Sequence, residues 1–242
     1  ERLEHLQPAD LADIAEALNA PERAALLGSI DEEVAADALQ EMEPDLQVAV
    51  VNELSDEQAS DIIEEMDPDA GADLLSDLSE ERAEAILELM QPEEAADLRE
   101  LMQYHPESAG GLMTLEYMAV NEALTVREAM RYLRHEAQQA ETVYYVYVID
   151  AEEHLKGVFS LRDLIMAPGD FKVHDIMHHN PVRVRLDTAQ QDIAHAVAHY
   201  NLLAVPVVDE HNRLQGIVTV DDAIDAVIPT AWKKRIPRAF SR

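Results

Sequence analysis

The sequence predicts a two-part fold, an all-α superhelical solenoid of short helices followed by an α/β region built twice from one unit. Three observations carry this reading. Apolar residues recur with a twelve-residue period over the first hundred positions, the pattern changes abruptly near His105, and one strand-turn-strand-helix order then appears twice, about 60 residues apart.

The period is carried by Leu18, Ile30, Met42, Leu54, Met66, Leu78, Met90 and Met102. Helix-start chemistry follows each marker, as in Glu43-Pro44-Asp45, Ser55-Asp56-Glu57, Asp67-Pro68-Asp69, Ser79-Glu80-Glu81 and Gln91-Pro92-Glu93. A small polar residue caps the next helix, Pro suits the first helical position, and acids suit the first-turn dipole. About nine residues remain per helix, roughly two and a half turns. A second apolar position lies three before the marker, at Leu39, Val51, Ile63, Leu75 and Leu87, so both share one face. Helices this short do not stand alone in water, and residues 1–104 are expected to stack as hairpins. The Met markers read as core filling rather than as metal ligands.

The charge is uneven. Of a net −32, residues 1–104 hold 31 Asp and Glu against four Arg and no Lys. Such a surface repels nucleic acid and anionic lipid, and it either collects cations or keeps a protein soluble in strong brine. Taken singly, each acid reads as solvated surface. The chain has no Cys, which excludes disulfides and thiolate metal sites. No apolar run approaches the roughly 18 residues of a membrane span and no signal peptide opens the sequence, so a membrane role is expected to lie outside these residues. No HExxH, P-loop or Cys nucleophile is present, and the expectation is that the chain is not an enzyme. His174 with His178-His179 reads as exposed polar filling, and His195 with His199 as a half-exposed helix face.

In the second part, Thr142 to Ile149 reads as a buried strand, Leu155 to Ser160 as its partner, and Leu161 onward as a helix. The order returns in Ala204 to Asp209, Leu214 to Thr219 and Val220 onward. Matching lead-ins precede each copy: Gly111-Leu-Met-Thr114 with Ala119-Val120, and Asp175-Ile-Met177 with Pro181 to Val184. Thr125 and Thr188 are expected to cap the helices that follow them.

These residues resemble the CBS domain twice, with the junction and first copy at 105–172 and the second at 173–229. The resemblance rests on Gly157…Ser160…Asp163 and Gly216…Thr219…Asp222. CBS domains come in pairs, many of which bind adenosine nucleotides, and the resemblance implies contacts from Tyr144, Ser160, Arg162, Asp163, Thr219 and Asp222, with ATP as a candidate ligand. A hydroxyl at the strand end suits phosphate and a carboxylate one turn on suits ribose hydroxyls, whereas the bland reading has Ser160 and Thr219 only capping the next helix.

An acidic helical repeat, the junction Glu107-Ser-Ala-Gly-Gly-Leu-Met-Thr114 with Glu116-Tyr117, and then a CBS pair together resemble the cytosolic region of the MgtE family of magnesium channels. The resemblance implies a homodimer through the CBS domains, a transmembrane pore in the same full-length chain, and a place at the cytoplasmic face of the membrane. It also implies Mg2+ bridging the acidic helical domain to the CBS domains so that the closed state is favoured. Carried over by position, the metal residues are Asp37, Asp69, Asp73, the Gly111 carbonyl, Asp222 and Asp225. Where the family places two further acids, this chain has Ala189 and Asn201. It ends in a basic segment, 230–242, read as a possible start of a connecting helix. The alternative function is a soluble nucleotide-responsive CBS regulator whose acidic surface is an adaptation to salt.

Overall fold

The computed structural model describes residues 6–136, 140 and 142–225 and divides into two compact units, 1–103 and 104–242. The basic segment 230–242 lies outside the described residues.

The first unit is helical, as its apolar period requires. Its helices are α1 (Pro8–Glu16), α2 (Ala20–Leu27), α3 (Glu32–Gln40), α4 (Pro44–Glu53), α5 (Asp56–Glu64), α6 (Pro68–Asp77), α7 (Glu80–Leu87) and α8 (Pro92–Leu101). Odd helices pack on odd and even on even, giving two rows in which α1, α3, α5 and α7 follow one another beside α2, α4, α6 and α8. Pro stands in the first turn of α4, α6 and α8, whereas Ser55 and Ser79 cap α5 and α7 by accepting the backbone N–H of Gln58 and Arg82. The markers close the helices. Met42 donates its N–H to the Leu39 carbonyl at 3.1 Å, Met66 to Ile63 at 3.2 Å, and Leu78 to Leu75 at 3.2 Å. That extra turn holds the marker and its partner on one face, and Leu39, Val51, Ile63, Leu75 and Leu87 are all buried.

The two best-buried cations of this acidic unit are spent on helix ends. Arg23 of α2, only 5% exposed, donates to the carbonyls of Ala15 (2.9 Å), Leu18 (2.9 Å) and Glu16 (3.4 Å), at and just after the C-terminal end of α1. Arg82 does the same for α4 through Val51 (2.9 Å) and Leu54 (2.8 Å), and it pairs with Asp56. Gln47 serves α3 through Leu39 and Met42.

The second unit is α/β. In the first copy β1 (Ala119–Asn121) is followed by α9 (Val126–Glu136), β2 (Tyr145–Ile149), β3 (Leu155–Ser160) and α10 (Leu161–Met166), and α11 (Val173–Ile176) and β4 (His178–His179) form the lead-in of the second. The second copy holds β5 (Val184–Arg185), α12 (Gln190–Tyr200), β6 (Ala204–Val208), β7 (Leu214–Thr219) and α13 (Val220–Asp225). The sheets run β1-β2-β3-β4 and β5-β6-β7, with the first pair of strands parallel in each.

Each copy is completed by the lead-in of the other. β4 precedes the second copy yet pairs with β3, and Thr114, ahead of the first copy, bridges to Ile217 of β7. The two motif glycines permit this approach. A Cβ on Gly157 would stand 2.6 Å from the Met177 sulfur, and one on Gly216 would stand 2.8 Å from the Met113 sulfur. The hairpin tips also pair, Leu155 N–H to the Asn212 carbonyl and Leu214 N–H to the Glu153 carbonyl, with Glu153 and Asn212 at φ 66° and 65°.

One expectation fails. Thr125 caps α9 with Glu128, but α12 begins at Gln190 with Ala189 at its cap position and no side-chain bond. The Thr188 hydroxyl instead accepts the Arg185 N–H at 2.9 Å, because the chain turns before the helix starts. At the other end of α12, Asn201 takes the left-handed conformation (φ 52°) that ends a helix, which accounts for Asn at that position.

Replacing Arg23 with Met keeps the apolar stem but removes the guanidinium bonds to the carbonyls at the end of α1. Urea unfolding of the chain is expected to show the helical unit weakened by about 2 kcal/mol, whereas Arg99→Met, which removes only a surface pair with Glu84, should change it by less than about 1 kcal/mol.

Candidate functional site

The second unit encloses a cavity of about 360 Å3 lined from both copies. Tyr145, Tyr147, Phe159, Ser160 and Asp163 come from the first, Leu202, Ala204 and Pro206 from the second, and His178, Pro181 and Val182 from the lead-in between them. Its walls are mostly apolar and aromatic, with a few polar groups at one edge, the usual make-up of a small-molecule site.

Two features give the cavity chemistry. Tyr147 is 1% exposed and its hydroxyl has no hydrogen-bond partner. Burial, and secondarily Tyr145, pushes its pKa up, so it stays a protonated donor. At the edge, Ser160 and Asp163 form a reciprocal cap on α10. Ser160 donates its N–H (2.9 Å) and its hydroxyl (2.7 Å) to Oδ2 of Asp163, and accepts the Asp163 N–H at 3.1 Å. These bonds, the hydroxyl first, hold the Asp163 carboxyl below its ordinary range. His178 Nε2 stands 3.7 Å from the same Oδ2. Capping and ligand binding are thus both within reach of one carboxylate. An apolar chamber suits a base and an ionised acid suits ribose hydroxyls, which together fit an adenosine nucleotide.

Tyr144 does not line the cavity. It stands before β2, half exposed, with its carbonyl accepting the Leu161 N–H, and the alternation of the strand turns Tyr145 and Tyr147 inward instead. Arg162 is exposed on α10 and is likewise absent from the lining. In the second copy Thr219 is buried and donates its hydroxyl to Asp222. Asp222 is half-buried on α13, and Asp225 closes that helix with its side chain outside the described residues.

The helical unit holds the other candidates. Asp37 lies on α3, and Asp69 and Asp73, four apart, share one face of α6. Asp73 is exposed by area yet hemmed in by surrounding protein, and this desolvation, followed by the like charge of Asp77, pushes its pKa up to about 6. Desolvation, then acidic neighbours, also raises Glu94 and Asp97 of α8, which the sequence reading passed over because spacing alone does not reveal crowding. Gly111 is buried and its carbonyl accepts no hydrogen bond among the described residues. No three acidic or imidazole side chains among the described residues converge as a closed metal site. Oxygen donors presented in ones and twos fit only an ion that retains much of its water, as Mg2+ does.

The coordinates superpose on two solved structures over nearly their whole length. One is the cytosolic domain of the Mg2+ channel MgtE in complex with ATP, at TM-score 0.89 and 39% identity, covering 93% of this chain and 92% of that one. The other is the soluble part of a magnesium transporter, at TM-score 0.86 and 36% identity, covering 93% and 89%. The chain belongs to the MgtE family. The profile of the MgtE intracellular N domain matches residues 6–107, and that of the CBS domain matches 109–170 and 173–229. The magnesium transporter MgtE of Thermus thermophilus is 44% identical over 127 residues, 52% of this chain but only 28% of that protein. The chain therefore matches less than a third of that relative, and no helix among its described residues is long and apolar enough to cross a membrane.

The raised pKa of Asp73 in this MgtE chain gives a signed pH dependence. The folded state holds the Asp73 proton more tightly than the unfolded state, so the associated stability is complete below about pH 4. It is lost as pH rises through about 6 and is constant above. Carboxyl-detected NMR in the absence of divalent ions is expected to show Asp73 titrating near 6. Asp73→Asn should raise the melting temperature at pH 7 and should lose that advantage below pH 4; an ordinary carboxylate midpoint would overturn the assignment.

Proposed function

We propose that this chain is the magnesium-sensing cytosolic region of an MgtE-type channel, at the cytoplasmic face of a membrane whose pore belongs to the same full-length chain. The observation that carries the proposal is the likeness, over more than nine-tenths of both chains, to the cytosolic domain of an Mg2+ channel. In this reading Asp37, Asp69 and Asp73 of the helical unit and the Gly111 carbonyl, Asp222 and Asp225 of the CBS pair would hold Mg2+, favouring the closed state. A bound divalent ion supplies the positive charge that a carboxylate surface with four arginines lacks. Asp73, desolvated and without a cationic partner among the described residues, is the group that gains most from it. Weak sites of this kind act through their differential affinity for two states. The CBS pair is the proposed homodimer element, and Tyr132, Met166 and Ile224 stand exposed on α9, α10 and α13 in a manner suited to association.

The cavity supports a second ligand, an adenosine nucleotide such as ATP. The base would occupy the aromatic chamber beside Tyr145 and Tyr147, and the ribose hydroxyls would reach Asp163. The rival reading, a soluble nucleotide-responsive regulator with a salt-adapted surface, keeps this site and discards the magnesium one.

Small-angle scattering during a magnesium titration at fixed ionic strength separates the two. Compaction with Mg2+ that sodium does not reproduce, and that is weakened in Asp69→Asn/Asp73→Asn, is expected for the sensor. Equal compaction with either salt favours the rival. By calorimetry, Asp163→Ala should weaken ATP binding roughly tenfold to a hundredfold. Tyr147→Phe, which removes a buried hydroxyl without a partner, should leave stability unchanged or higher.

A further inference from the structure

The two CBS copies share one register. Tyr145 pairs with Ser160 and Tyr147 with Val158, as Ala204 pairs with Thr219 and Pro206 with Ile217, and both hairpins slip at the same place, after Val148 and after Val207. The lead-ins correspond in the same way. Met177 lies against Gly157 and His178 pairs with Val158, as Met113 lies against Gly216 and Thr114 pairs with Ile217. Four residues beyond each Met stand Pro181 and Tyr117, which are therefore counterparts.

These counterparts do different things. Pro181 lines the open cavity of the first copy. Tyr117 is not in that lining; it is half-buried and packs against the cluster of Tyr147, Ala204, Leu214 and Ile217. Its ring meets that of Tyr147 edge to face, with centroids 6.4 Å apart. The polar edge differs as well. Thr219 is 4% exposed and Thr114 1%, whereas their counterparts Ser160 and His178 are half-buried and exposed. The motif bond itself is kept, since the Thr219 hydroxyl donates to Asp222 as the Ser160 hydroxyl donates to Asp163.

We propose that the Tyr117 ring fills the second cleft of the pair and so sets its capacity at one nucleotide per chain. The inference rests on reading the first cleft as a nucleotide site. An aromatic ring takes the space that a base would need, and a ligand must first displace it from its apolar burial and its contact with Tyr147. That cost lowers the affinity of the second cleft by the fraction of time the ring is out. Pro181, shorter and rigid, leaves the matching space of the first cleft open. The choice between clefts is thus made by one lead-in side chain and not by the Gly…Ser/Thr…Asp motif, which both copies possess.

Calorimetric titration of the whole chain with ATP counts the sites, in magnesium-free buffer so that Asp222 carries no cation. The parent is expected to bind one ATP per chain and Tyr117→Ala two. Adding Asp222→Ala to Tyr117→Ala should weaken the new site roughly tenfold, whereas adding Asp163→Ala should weaken the old one and leave the new one unchanged. Tyr117→Phe, which keeps the ring, should stay at one. If the alanine variant does not fold, Tyr117→Val, which retains part of the apolar packing, replaces it. Two ATP bound by the parent, no gain in the variant that folds, or a gain that Asp222→Ala leaves intact would each overturn the proposal. A parent that binds no ATP overturns the reading of the first cleft instead, and the role of Tyr117 is then decided by whether its removal creates one site.

Discussion

The constraint on which the helical unit depends is self-repulsion. Thirty-one carboxylates and four guanidiniums share residues 1–104, and a compact state brings those carboxylates together. The fold answers by putting its favourable energy elsewhere. The apolar pairs of the repeat are buried almost completely, and the best-placed cations, Arg23 and Arg82, are directed at helix carbonyls. Arg82 with Asp56 and Arg99 with Glu84 neutralise acids directly. The surface is left with its charge, and at Asp73, Glu94 and Asp97 that charge is desolvated as well. A carboxylate surface of this kind gains free energy from any cation that binds it, which is what the proposed sensing role requires.

The CBS pair depends on a different constraint, close approach. Because Gly157 and Gly216 carry no Cβ, Met177 and Met113 can lie against the strands of the opposite copies. Neither copy closes alone, and the cleft is the space left where the shared strands diverge. The symmetry is only approximate. Thr114 bridges to β7 where His178 pairs with β3, so the lead-in brings an imidazole beside the motif acid of the first copy and a threonine to the matching place in the second. The two motif carboxylates are therefore different sites, although their spacing in the sequence is the same.

Much of this was legible in the sequence because the signals were periodic or repeated. A twelve-residue period admits little but short stacked helices, and Ser55, Ser79 and the first-turn prolines announce their own starts. The doubled Gly…Ser/Thr…Asp motif points to Ser160 and Asp163, both of which line the cavity. Spacing did not reveal facing. Tyr144 and Tyr145 are neighbours in one aromatic run, and only the register of β2 against β3 decides which turns inward. The roles of Arg23 and Gln47 as helix-end donors were hidden for a similar reason, since they depend on which earlier helix each one packs beside. Thr188 misled because a threonine one residue too early can satisfy a turn as readily as a helix.

The family resemblance implies Asp222 for both proposed ligands, and the packing bears on how two ligands could influence each other. The described cavity uses Asp163, not Asp222, so a nucleotide there does not compete with a cation at α13 for one carboxylate. Any coupling must pass through packing. Tyr147, which lines the cavity, shares a buried cluster with Leu214 and Ile217 of β7, and β7 ends at Thr219, whose hydroxyl holds Asp222. Filling the cavity acts directly on Tyr147, whose hydroxyl is unpaired in its absence, and so on the strand that positions Asp222. By linkage the effect is reciprocal: whatever factor the nucleotide applies to cation affinity at Asp222, the cation applies to nucleotide affinity at Asp163.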